Sequence, residues 1–148
     1  METTAQQKKR LRAQLRQKRR ALDPEMLLRD SAAICSRLLE LPELRRAWTV
    51  FCYVSCGGEV ETHRLIGHLL KQGKTVLVPR CGARGLMDCV PITSLADLRP
   101  GAYGILEPPP GTQAVPAASV DFAIVPAVAC FSRCPISRWV STSPPQDT

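Results

Sequence analysis

An α/β fold with an open, mostly parallel sheet flanked by helices is predicted by three observations. Residues 48–55, WTVFCYVS, are apolar on both faces, with Val50, Cys52 and Val54 on one and Phe51 and Tyr53 on the other. That is the pattern of a strand covered on both sides. An amphipathic stretch and a second aliphatic run, 75–79, follow, and the right-handed crossover between them makes the two strands parallel. A third run, 122–126, repeats the aliphatic-then-proline ending of the second and is expected to be another buried strand. One domain is expected over residues 1–129, a length that buries a real core while still needing its terminal elements.

The elements follow in order. Thr3 and Thr4 precede Gln6 and Gln7 by three residues, a capping-box pattern that opens a helix. Leu11, Leu15 and Leu22 repeat at about helical spacing and give that helix a narrow apolar stripe on a basic body. Asp23 before Pro24 restarts a helix, an N-cap followed by proline at the first helical position. This second helix is expected to run to about Glu40 and to bury Leu27, Leu28, Ile34, Cys35, Leu38 and Leu39, until Pro42 interrupts it. After the first strand, Thr62 is placed to cap a helix that buries Leu65, Ile66, Leu69 and Leu70 and ends at Gly73. A short strand is expected over 86–90, a helical turn over 94–98, and a rigid extended loop over 107–111, EPPPG. From Cys130 the chain is rich in Ser, Thr and Pro and has no apolar period, so 130–148 is expected to be a poorly ordered tail.

The 148 residues carry a formal net charge of +7, and eight of the twenty Lys and Arg lie between Lys8 and Arg20. Such a block favours phosphate-bearing partners. No apolar run approaches the roughly 20 residues that span a bilayer, and the N-terminus is polar, so a cytoplasmic protein without membrane association is expected. The seven cysteines are an odd set and are expected to be mostly free thiols. Cys52 with Cys56, and Cys130 with Cys134, have a spacing that could hold metal, but Cys52 falls in a strand and no histidine follows at ligand spacing. No metal site is expected from them.

The first strand ends in a loop, CGGEVET, with two glycines and two carboxylates. Open α/β sheets bind ligands in the crevice beyond the carboxyl ends of their strands, so Glu59 and Glu61 fall where a site is expected.

A set of motifs in fixed order then carries a resemblance: KKRLR at 8–12, GGEVET at 57–62, VPR at 78–80, LMDCV at 86–90, GILEP at 104–108 and VDFAIVPAVA at 120–129. In this order they resemble the 5-formyltetrahydrofolate cyclo-ligase family, also called methenyltetrahydrofolate synthetase, over about residues 5–129. The resemblance implies a fold similar to the sugar-isomerase and CoA-transferase group. It also implies a monomeric ligase of one-carbon metabolism that uses ATP and Mg2+ to close 5-formyltetrahydrofolate to 5,10-methenyltetrahydrofolate. Lys8, Lys9, Arg10, Leu11 and Arg12 match the ATP-contacting segment; Lys8 and Arg12, at i, i+4 spacing, share a helix face. Glu59 matches the glutamate that grips the folate, and a carboxylate accepts bonds from pterin N–H donors. Val54 matches a position lining the substrate site, and Tyr103 falls where an aromatic stacks on the ligand. Cys81 stands where many members carry an aromatic. No catalytic residue is assigned.

After Ala129 the resemblance stops. The family continues into a glycine-rich run that wraps the ATP phosphates and helps hold magnesium, and nothing in 130–148 matches it. An altered reading frame or splice, or a short variant without catalysis, would produce such a change, and impaired activity is expected of the chain as it stands. A different class of function, nucleic-acid binding or scaffolding through the basic helix, calls for aromatics interleaved with the cations. There are none between Lys8 and Arg20, so nucleic acid is not the expected partner. An organelle-targeting role for the same helix lacks the usual serines.

Overall fold

The computed structural model describes residues 1–128, and the expectations for 130–148 fall outside them. The chain opens with α1 (Thr4–Arg20), α2 (Pro24–Glu40) and the short α3 (Pro42–Arg46). The capping box at Thr3 forms as the sequence indicates, with Gln6 N–H donating to the Thr3 hydroxyl and the Gln6 side chain accepting from Thr3 N–H. Only Leu15 and Arg19 of α1 are even half-buried, one helical turn apart on the face toward the body. Asp23 starts α2 with Pro24 behind it, but its side chain makes no cap bond.

The buried face of α2 differs from the expected one. Leu27, Ser31, Cys35 and Leu38 form the inward stripe, spaced by four, four and three residues, and Ser31 is the one fully buried. Leu28 and Ile34 flank that stripe and are exposed, because three buried turns admit only about a third of the helix circumference.

The sheet follows: β1 (Thr49–Cys52), then α4 (His63–Lys71), β2 (Thr75–Cys81) and β3 (Met87–Ile92), with a 3-10 turn at Leu95–Asp97 capped by Ser94. A two-stranded ladder, β4 (Arg99–Pro100) with β5 (Leu106–Glu107), precedes β6 (Phe122–Ile124). The main sheet has the order β3-β2-β1-β6, with β1 parallel to both β2 and β6 and β3 antiparallel to β2. Val50 of β1 registers with Val76 and with Phe122, and these residues centre the core with Leu65, Ile66 and Leu69 of α4. Gly73 ends α4 in the left-handed region, at φ +77°, where only glycine is unstrained.

Three further expectations change. β1 is shorter than 48–55: its ladder stops at Cys52, and Tyr53 and Val54 stay buried beyond it. β6 is not covered on both faces, since Ala123 is exposed between buried Phe122 and half-buried Ile124; it is the last strand of the sheet among the described residues. The expected extended loop at 107–111 begins inside β5, so Glu107 is a ladder residue.

Asp121 fixes the amino ends of the two parallel neighbours. Its carboxylate accepts from the N–H groups of Trp48 and Thr49 at 3.0 and 2.9 Å, and its own N–H donates to Thr49 O.

Candidate functional site

Because β1, β2 and β6 run in parallel, their carboxyl ends share one side of the sheet. The 55–62 loop leaves β1 there, Arg80 and Cys81 close β2 there, and Ala127 lies just past β6.

The 55–62 loop is built from its own side chains. Ser55 N–H donates to Thr62 Oγ1 at 3.0 Å, and Thr62 N–H donates to Ser55 Oγ at 3.0 Å. Thr62 Oγ1 donates in turn to Tyr53 O at 2.8 Å, and the Tyr53 hydroxyl donates to Val60 O at 2.9 Å. Inside this frame Glu59 N–H donates to Cys56 O, and Cys56 N–H donates to Glu59 Oε2 at 3.0 Å. Gly57 and Gly58, at φ +56° and +80°, make the turn between them. Among the described residues nothing bonds the other carboxylate oxygen of Glu59.

Thr62 does not cap α4 through its side chain, contrary to the sequence expectation. Glu61 does that work: its Oε1 accepts from His63 N–H at 2.6 Å and lies 2.9 Å from His63 Nδ1. A carboxylate at a helix start meets unpaired N–H groups and the positive end of the helix dipole. Glu61 N–H is itself held by the buried Ser31 hydroxyl at 2.9 Å, so α2 braces the loop.

The electrostatics are those of a buried tyrosine and an exposed thiol around one acid. Burial, and then the Glu59 carboxylate, push the Tyr53 hydroxyl well above the usual tyrosine range, and the same two causes raise the Cys56 thiol. Arg19 acts the other way on both. Its backbone and side chain back onto Gly58, and its Nη1 donates to Ala127 O at 3.3 Å, so the end of α1 joins the β1 loop to the end of β6.

The sequence-assigned residues are not all gathered. Residues 8–12 are exposed on α1, with Arg10 paired to Glu2, and Lys8 lies about 16 Å along the helix from Arg19 at 1.5 Å per residue. Val54 is 3% exposed and belongs to the core. Tyr103 is 93% exposed in a 3-10 turn between β4 and β5, in the left-handed region at φ +59°. No hydrogen bond or ion pair among the described residues joins Glu59 to Tyr103 or to residues 8–12.

Beside them stands a second cluster that the sequence reading missed. Arg80 Nη1 donates to the carbonyls of Pro109, Pro110 and Thr112, and its Nη2 pairs with Asp88 at 3.0 Å. The buried Glu107 carboxylate accepts from Cys81 N–H at 3.0 Å. These bonds tie the proline loop and the β4–β5 ladder, and with them the Tyr103 turn, to the end of β2. The VPR motif and the three prolines were visible; their long-range pairing was not.

Comparison with known proteins decides the family. The model of the 5-formyltetrahydrofolate cyclo-ligase family matches residues 4–133. The chain belongs to the 5-formyltetrahydrofolate cyclo-ligase family. It is 33% identical over 92 residues to the 5-formyltetrahydrofolate cyclo-ligase of Mus musculus, covering 62% of this chain and 45% of that protein. It is 37% identical over 65 residues to the cyclo-ligase of Escherichia coli strain K12, covering 44% and 36%. The NMR structure of Aquifex aeolicus 5,10-methenyltetrahydrofolate synthetase superposes with a TM-score of 0.72 at 34% identity, over 82% of this chain and 61% of that one. The chain thus spans about half the length or less of the curated cyclo-ligases it matches. The mixed, mostly parallel sheet with flanking helices is the α/β architecture expected, and no helix among the described residues is long and apolar enough to cross a membrane.

Proposed function

We propose that this chain acts on 5-formyltetrahydrofolate, with ATP, in the direction of 5,10-methenyltetrahydrofolate. The observation that carries the reading is Glu59, held at the carboxyl end of β1 with Oε2 fixed by Cys56 N–H and, among the described residues, no partner on the other oxygen. An acceptor fixed in this way suits the amino and ring N–H donors of a pterin.

The chemistry requires a formamide oxygen to leave. The γ-phosphoryl group passes from ATP to that oxygen, a P–O bond forming as the bond to the ADP oxygen breaks. The lone pair of the neighbouring folate nitrogen then attacks the activated carbon, the nitrogen loses its proton, and the C–O bond breaks to release phosphate. Transfer of this kind depends on cations and oriented donors more than on a protein nucleophile. The exposed cations of residues 8–12 fit the phosphates of ATP, Lys8 and Arg12 from one face. Val54 lies buried in the core at the start of the loop that carries Glu59, and Tyr103 offers an exposed ring for stacking. Among the described residues no group of three or more His, Cys, Asp or Glu could hold a metal ion.

The test is folate binding by calorimetry. Glu59→Gln is expected to weaken it by about 1.5–3 kcal/mol, the range for a hydrogen bond to a charged group. An unchanged affinity removes Glu59 from the site.

A further inference from the structure

We infer that Ser55 and Thr62 are positioning residues for Glu59, clasping the ends of the 55–62 loop so that the carboxylate is presented in one place. The identity of the ligand rests on the functional reading above; the clasp itself rests on geometry.

The two residues exchange backbone-to-side-chain hydrogen bonds in both directions, each at 3.0 Å. Thr62 is 1% exposed, and its hydroxyl accepts from Ser55 N–H while donating to Tyr53 O, so its one proton is committed to the end of β1. That hydroxyl is available because Glu61 has taken over the start of α4. The loop needs such closure. Two consecutive glycines in the left-handed region give its backbone more freedom than any other residue pair, and the Cys56–Glu59 turn holds Glu59 only relative to Cys56. Without the outer clasp the loop keeps the Tyr53–Val60 and Ser31–Glu61 bonds and the Arg19 contact on Gly58, but its ends open and the carboxylate gains freedom. An acceptor held in place before its ligand arrives spares the ordering cost of binding.

Thr62→Val keeps the shape and removes the hydroxyl, and Thr62→Ser restores it. Thr62→Val is expected to weaken folate binding about tenfold or more, as for loss of a buried hydrogen-bonding partner, with the ATP dissociation constant unchanged. Thr62→Ser is expected to bind folate within about threefold of the unsubstituted chain, the spread of one weakened bond. In the ligand-free chain, Thr62→Val is also expected to speed hydrogen exchange at the Cys56, Glu59 and Glu61 amides, none of which is bonded to the Thr62 hydroxyl. Glu59→Gln on the Thr62→Val background is expected to cost less than on the unsubstituted chain, because the carboxylate is already displaced. Ser55→Ala carries the same measurements should Thr62→Val not fold.

A stability loss with folate affinity and loop exchange unchanged overturns the inference, as does strict additivity with Glu59→Gln. The two readings fail separately. If Glu59→Gln leaves folate binding intact, or the unsubstituted chain binds no folate, the functional reading falls and the folate role of the clasp with it; slow loop exchange that persists in Thr62→Val removes the clasp whatever the ligand.

Discussion

Raising the pH from 8 to 10 should destabilise this fold through one thiol. Cys52 ends β1 with no solvent exposure, and burial pushes its pKa from 9.0 up to about 12, reinforced by Cys35 and Glu61 and opposed by the neighbouring Thr62 hydroxyl. In the unfolded chain the thiol ionises near 9, so between 9 and 12 the unfolded state binds fewer protons than the folded one. Stability is therefore intact below about pH 9 and lost as the pH climbs toward 12. Each unit of difference is worth 1.36 kcal/mol, so the full effect is about 4 kcal/mol, of which about 1.4 kcal/mol is gone by pH 10. Urea unfolding under reducing conditions at pH 8 and pH 10 measures it, with Cys52→Ala as the comparison. The alanine leaves a cavity whose cost is the same at both pH values, and every other titrating group is common to the two proteins, so the difference between their pH dependences isolates Cys52. Parallel dependences would refute the reasoning and mean that the thiol ionises without leaving the folded state.

Three further outcomes are expected. Gly101→Ala would drive a methyl group into the buried Glu107 carboxylate and pull it from Cys81 N–H, costing about 1–3 kcal/mol in denaturant unfolding; a neutral substitution would show that the β4–β5 ladder yields freely. Lys8→Ala or Arg12→Ala should weaken ATP binding in titration calorimetry while leaving folate affinity intact, and equal losses for both ligands would assign α1 a folding role instead. Leu69→Ala, at a fully buried position of α4, should cost about 2–5 kcal/mol in denaturant unfolding, and a smaller loss would mean that the core closes around the missing side chain.

Much of the fold was legible because its signals are local. The capping box at Thr3, the two-sided apolar run at Val50–Val54 and the glycine after α4 each depend on residues within a few positions of one another. What failed to show was set by partners far along the chain. Leu28 and Ile34 have the composition of core residues, yet the face of α2 was decided by where Ser31 meets the Glu61 amide, thirty residues away. Thr62 is a better helix cap than Glu61 by residue type, but Tyr53 O and Ser55 N–H claimed its hydroxyl first. The site divides in the same way. Glu59 could be placed from the loop alone, whereas the roles of Arg19 and Arg80 come from carbonyls at Ala127 and at Pro109, Pro110 and Thr112.

The Asp121 clip has a consequence for the order in which the molecule is made. β1, α4, β2 and β3 are contiguous and can pair as they emerge, but the strand that occupies the other edge of β1 lies about seventy residues downstream. Until Phe122–Ile124 arrives, Val50, Phe51 and Cys52 present open N–H and C=O groups beside apolar side chains, the kind of edge on which nascent chains join one another. Asp121 sits immediately before the arriving strand and bonds two amides at the start of β1, so its carboxylate sets the register of the β1–β6 pairing at its first residue. The interval between synthesis of β1 and that capture is the period in which this protein is most exposed to its own neighbours.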